Sequence, residues 1–169
     1  MMKTLSFKVT IKAAIGHVWS VIGTEAGIRS YMSPNVFVDP VVGGPYEIYF
    51  DMEQGEGLRG SEGMKVMAIE PPVRFAFTWN NPPSLPNIRG QQTAVFYSLF
   101  DKGDTTEVTL DHVGFGDSED WQKSYDYFTR AWGMIVLPRL VHVVENGPIP
   151  WGEDLKLTPL MDRIKCLST

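Results

Sequence analysis

The chain has 169 residues and a mass of 19.0 kDa, a length that suits one domain and would leave two thin. A composition that is 43% hydrophobic and 12% aromatic excludes a disordered chain. The formal net charge is −5, with ten acidic against five basic side chains between residues 51 and 118; that field repels phosphate backbones and anionic lipid, so neither nucleic acid nor a membrane surface is expected as a partner.

Residues 4–12 alternate, with Leu5, Phe7, Val9 and Ile11 on one face and Ser6, Lys8, Thr10 and Lys12 on the other, the period of a half-buried strand. Lysines spread through such a pattern do not make a secretory leader. No run reaches the roughly 20 apolar residues of a membrane span. Cys166 is the only cysteine, so no intrachain disulfide can form, and a cytoplasmic location is expected. Ile15, Val18, Trp19 and Ile22 recur at helical spacing. Gly23 breaks that short helix, and Thr24 can cap a second one through about Tyr31, which Pro34 stops.

Strands separated by turn residues follow. They run over Val36–Asp39, Tyr46–Asp51, Gly63–Ile69, Arg74–Trp79, Thr93–Phe100 and Thr105–Val113. A glycine-rich, acidic loop spans Met52–Gly60, and a loop with three prolines spans Asn80–Gly90. Strands joined by turns argue for an antiparallel sheet, because parallel neighbours need long crossovers. From Glu119 the period changes: Trp121, Tyr125, Phe128, Trp132, Ile135, Arg139 or Leu140, and Val143 recur every three or four residues. The spacing predicts one long helix to about Glu145, with a kink at Pro138 and an end at Asn146-Gly147-Pro148. Residues 148–169 carry Trp151, Leu155, Leu157, Leu160, Met161 and Ile164, too apolar for a free linker. The expected fold is α+β: a curved antiparallel sheet of about six to seven strands wrapped on a long C-terminal helix, with two short helices after the first strand.

Several local motifs, in this order and spacing, resemble the activator of heat-shock-protein-90 ATPase homologue family, within the START and birch-pollen-allergen-like group of helix-grip proteins. They are Val41-Val42-Gly43-Gly44-Pro45-Tyr46, Ile69-Glu70-Pro71-Pro72 with Phe77-Thr78-Trp79, Thr105 through Phe115, and Tyr127 through Trp132 to Leu140. The resemblance covers about residues 4–147, and the tail lies outside it. It implies a helix-grip ligand-binding domain over residues 1–147, with a deep cavity between sheet and long helix, and a C-terminal extension over 148–169. It also implies a chaperone partner and a role in stress response. Tyr31-Met32 stands where the family often has Trp-Trp.

Gly55-Glu56-Gly57-Leu58-Arg59-Gly60 has the letters of a dinucleotide fingerprint, but a strand rather than a helix follows, and Asp51, Glu53 and Glu56 would repel phosphates; it reads as a flexible hairpin loop. His112 shares a strand face with Val108 and Leu110, so it points into the sheet–helix space, either as a core histidine or as a ligand contact. His17 and His142 have no partners at metal spacing, and no nucleophile motif occurs. No metal, cofactor or catalytic set is therefore expected. Asp51, Glu53, Glu56 and Glu62 read as a solvated loop cluster.

The aromatics lie on strand faces (Phe75, Phe77 and Trp79; Val95, Tyr97 and Leu99) and on a helix stripe from Trp121 to Trp132. They fill a core or line a pocket, and both readings stand at this point. The candidate cavity-lining residues are Tyr46, Trp79, Tyr97, His112, Tyr125, Phe128, Trp132 and Arg139, the last able to pair a ligand carboxylate if it turns inward. The expected function is binding of a small apolar, aromatic or lipid-like molecule. The alternatives are a cyclase, aromatase or hydrolase using His112 as acid–base, and a chaperone-associated interaction module. A homodimer through the C-terminal extension is a further expectation.

Overall fold

Leu5, Phe7, Val9 and Ile11 are buried along one face of strand β1 (Lys3–Ile11), as their alternation requires. The computed structural model describes residues 3–168. Helices α1 (Ile15–Ile22) and α2 (Glu25–Tyr31) follow; the Thr24 hydroxyl caps α2 by accepting the Gly27 N–H at 3.0 Å. Then come β2 (Asn35–Val38), β3 (Tyr46–Tyr49), β4 (Val66–Glu70), β5 (Arg74–Trp79), β6 (Thr93–Asp101) and β7 (Thr106–Phe115). The helical region comprises α3 (Glu119–Arg130), a π-helical segment (Ala131–Val136) and α4 (Leu137–Asn146). A short helix α5 (Thr158–Met161) and a two-residue strand β8 (Lys165–Cys166) complete the chain.

The main sheet has six antiparallel strands in the order β4-β5-β6-β7-β1-β8. Strands β2 and β3 form a separate two-stranded ribbon, where the sequence reading puts them in one sheet with the rest; an antiparallel bridge from Tyr49 to Gly60 and the Tyr46 N–H donated to the Met64 carbonyl tie β3 to the segment that leads into β4. The long helical rod packs across the inner face, burying Trp121, Phe128, Trp132, Leu137, Leu140 and Val144 against Phe77, Trp79, Val95, Tyr97 and Leu110. Apolar burial of this kind, at ~25 cal/mol per Å², is the main stabilising term.

Two local irregularities set the inner face. In β7, His112 and Phe115 both point inward although they are three residues apart. Gly114 has φ +100°, and the pairing with β1 shifts register between Lys3 and Leu5. That bulge turns Phe115 onto the core side, with its ring centroid 4.6 Å from that of His112. In the rod, the break falls before Pro138, not at it. The Leu137 N–H reaches back to the Trp132 carbonyl, so the wider turn over Ala131–Val136 absorbs the disruption. Pro138 then sits in the first turn of α4, where its missing N–H costs little. The π segment also delays the inward face by about one residue. Val136, Leu140 and Val144 are buried, while Ile135 is exposed and Arg139 sits on the flank.

Residues after Gly147 fold back on the same chain. β8 pairs with β1, and Leu167 donates its N–H to the Ser6 carbonyl at 2.8 Å. Arg163 grips the Glu145 carboxylate at 2.7 and 2.9 Å and the Thr10 carbonyl at 2.9 Å. Burial pushes the Glu145 pKa up, but Arg163 and the Lys12 N–H outweigh it and hold the group below the usual carboxylate range. The extension thus covers the β1 edge in cis; a dimer built through that edge would have to displace β8 first.

Candidate functional site

Where the rod passes the open end of the sheet, its inner face meets two loops around a pocket of about 720 Å³. The rod supplies Tyr127, Phe128, Ala131, Trp132, Ile135, Val136 and Arg139. The 50–60 loop adds Phe50, Asp51, Gln54, Leu58, Arg59 and Gly60. Trp79 continues from β5 into Asn80, Asn81, Pro82, Pro83 and Ser84, with Arg89 from the far end of that loop and Met32 from the end of α2. Trp79 and Trp132 stand side by side, ring centroids 5.8 Å apart. Phe50, Leu58, Tyr127 and Ile135 are exposed at the rim.

Polar clasps hold both loops. Arg89 donates to the Gly57 carbonyl at 2.6 Å, the Gly60 carbonyl at 2.9 Å and the Asn81 carbonyl, and lies 3.6 Å from Glu62. Asn80 donates to the Gly60 carbonyl at 2.9 Å. Asn81 is fully buried, donates to the carbonyls of Ile88 and Gln91, and accepts from the Ser124 hydroxyl at 2.5 Å. Burial pushes the Glu62 pKa up, but the Arg59 and Gly60 N–H groups bonded to its carboxylate bring it below the usual range. Gly60 is required by close approach: a Cβ there would sit 1.9 Å from the Ile48 carbonyl oxygen. The glycine triplet therefore shapes a pocket loop tied down by Arg89.

Of the eight residues picked from sequence, Trp79, Phe128, Trp132 and Arg139 line this pocket. Tyr46, Tyr97, His112 and Tyr125 do not, and their positions correct the expectation of a cavity between the sheet centre and the helix, because aromatic packing fills that space. Tyr46 stacks on Phe77 with ring centroids 3.9 Å apart. Tyr97 accepts a hydrogen bond from the Tyr31 hydroxyl at 3.2 Å, deep in the core. Tyr125 packs edge-on against Phe115 at 5.2 Å.

His112 is fully buried behind Trp132 and between Phe115 and Phe128. The indole N–H of Trp132 can only donate, so His112 Nδ1 accepts it, at 3.1 Å. Nε2 then carries the proton toward Thr93 Oγ1 at 2.7 Å, and Thr93 donates on to the Trp79 carbonyl at 3.3 Å. Burial pushes the imidazole pKa down to about 3, so the ring is neutral near neutral pH. With both nitrogens engaged, it braces the two pocket tryptophans from behind.

The Tyr46 hydroxyl is buried near that of Tyr31 but makes no hydrogen bond of good geometry among the described residues. Burial also pushes its pKa well up. Removing an unsatisfied hydroxyl avoids its desolvation cost, so Tyr46→Phe is expected to stabilise the fold by about 1 kcal/mol. Tyr97→Phe, which strips the partner of Tyr31, is expected to destabilise by a similar amount. Urea unfolding of the two variants checks the opposite signs.

Arg139 is half-buried at the pocket wall, and its side chain makes no hydrogen bond or ion pair among the described residues. Its guanidinium lies over the Trp151 ring, 5.0 Å from the centroid, and burial lowers its pKa. Sequence reasoning missed Met32, Phe50, Leu58, Arg59 and the Asn80–Arg89 loop as pocket residues; the proline cluster in that loop is the one signal that marked a long, shaped connection.

The sequence matches the family described as "Activator of Hsp90 ATPase homolog 1-like protein" over residues 12–145. The chain belongs to that family. Among solved structures with the fold of this Activator of Hsp90 ATPase homolog 1-like chain is the Aha1 dimer from Colwellia psychrerythraea, 19% identical, with a TM-score of 0.65 over 85% of this chain and 97% of that one. CalU16 from Micromonospora echinospora is 17% identical, with a TM-score of 0.66 over 95% of this chain and 83% of that one. PFC0360w, an HSP90 activator from Plasmodium falciparum, is 12% identical, with a TM-score of 0.62 over 85% and 94%. These identities establish the α+β helix-grip fold alone. Curated proteins gave no match. No helix among the described residues is long and apolar enough to cross a membrane.

Proposed function

We propose that this chain is a binding protein for a small apolar or aromatic molecule, acting in the cytoplasm. The ligand rests against Trp79, Phe128 and Trp132, with the 50–60 and 80–89 loops around it. Residues 1–147 form the binding domain, and residues 148–169 are an extension that closes one sheet edge and touches the pocket residue Arg139 through Trp151. The observation that carries this reading is the pocket of about 720 Å³, within the 300–1,000 Å³ usual for small-molecule sites, whose aromatic walls are held in place by buried hydrogen bonds. Binding draws on apolar burial, while the clasped loops reduce the ordering cost. An acid–base role for His112 gains no support, because both its nitrogens are engaged away from the pocket. Native mass spectrometry of the protein purified from cells tests the proposal: a retained small molecule that is lost in an Ala131→Trp variant, whose added ring intrudes on the pocket beside Trp132, is the expected result. An adduct unaffected by that substitution would place any ligand elsewhere.

A second reading, a chaperone-associated interaction, is favoured by the likeness to the Plasmodium HSP90 activator. Capture of Hsp90 from lysate, abolished by excess purified chain, supports it; no capture at micromolar chain removes it.

A further inference from the structure

The charges around the pocket do not match those of the chain. Three arginines and no lysine line it, against one carboxylate, Asp51, in a protein whose net charge is −5. Arg89 is consumed by three backbone carbonyls and Glu62. Arg59 spends its Nε–H on the Gln54 carbonyl at 2.9 Å. Asp51 accepts the Glu53 N–H at 3.0 Å and the Gln54 amide at 3.3 Å. Arg139 alone of these groups has no hydrogen-bond or ion-pair partner among the described residues. A guanidinium partly withdrawn from water without an anion is unfavourable. Its position is nonetheless fixed from below by Trp151, which the C-terminal extension brings over its face. A planar, fork-shaped donor held at the edge of an aromatic wall is built to receive a carboxylate bidentately.

We propose that the pocket takes a planar aromatic carboxylic acid, its ring system against Trp79 and Trp132 and its carboxylate on Arg139, with the extension serving the site through Trp151. This rests on the reading of the pocket as a small-molecule site. The arginine pairs the anion and the tryptophans bury the arene. The neutral analogue of the same acid keeps the second interaction and loses the first.

The test uses the full chain with anthracene-9-carboxylate and anthracene-9-methanol, each followed by fluorescence anisotropy near neutral pH. The acid is expected to bind wild type about tenfold or more tightly than the alcohol. R139Q is expected to bring the two affinities together by weakening the acid alone. R139K, which keeps charge and bulk but lacks the fork, is expected to recover only part of the preference and serves should R139Q fold poorly. W151L is expected to weaken the acid several-fold with the alcohol unchanged, and R74Q, on a remote strand, to change neither. A preference for the acid that survives in R139Q and R139K overturns the proposal but leaves the pocket reading intact. Equal affinities in wild type do the same. No binding of either probe at millimolar concentration overturns both.

Discussion

Trp132→Ala is expected to lower folding stability by about 3–5 kcal/mol, the range for deleting a large buried aromatic. Trp132 is 1% exposed, packs on Trp79 and Phe128, and donates to His112. Its loss leaves a cavity at the junction of rod and sheet and strips the donor from a buried nitrogen, which adds to the transfer cost. Trp132→Phe keeps most of the bulk but loses the donor and part of the ring, so it is expected to cost about 1–2 kcal/mol. Urea unfolding of the two variants separates packing from hydrogen bonding. A Trp132→Ala loss below about 1 kcal/mol would mean that the rod is not seated on the sheet through this residue. The same variant is expected to destroy binding of any aromatic ligand, because it removes the pocket wall.

Stability is expected to fall by about 2 kcal/mol between pH 7 and pH 5, and His112 is the source. The folded pKa is about 3 and the ordinary value 6.5, so the unfolded chain takes up a proton that the folded chain refuses. The folded state is therefore at full advantage above pH 6.5 and loses it as pH drops toward 3. The upper part of that window lies above the pKa of Glu62 and Glu145, both held below their ordinary value, so it isolates the imidazole. His112→Asn is expected to be less stable at pH 7, since it shrinks a filled site, but to show a flat profile from pH 7 to 5. Guanidinium unfolding at several pH values measures both slopes. A wild-type profile without a slope, or one that persists in the variant, contradicts a neutral, buried His112.

Much of the fold follows from local pattern. The alternation of Leu5 to Ile11, the Thr24 cap, the prolines and glycines between strands, and the change of period at Glu119 each state their own element. What local pattern could not carry were three non-local adjustments. Gly114 in a strand hints at a bulge, but only pairing with β1 shows that Phe115 turns inward beside His112. Pro138 signals a break, but packing decides that the preceding turn widens, which moves the buried face from Ile135 to Val136. The Lys165-Cys166 strand is two residues long and exists only because the β1 edge is there to receive it. The site was legible on its aromatic wall, where Trp79, Phe128 and Trp132 lie on regular elements, and illegible where loops close it. Nothing in Leu58 or Pro83 states that their loops converge; Arg89 and Asn80 bring them together through bonds to the Gly57 and Gly60 carbonyls. Tyr46 and Tyr97 faced the right space, but that space is filled by Phe77 and Tyr31.

The most direct measurement is amide and indole chemical-shift mapping of the full chain during titration with anthracene-9-carboxylate. The expected shifts fall on Phe50–Gly60, Trp79–Ser84 and Tyr127–Arg139, with the indole N–H signals of Trp79 and Trp132 moving and that of Trp121 still. Saturating shifts centred anywhere else, or none at millimolar probe, would contradict a ligand site in the pocket over Trp79 and Trp132.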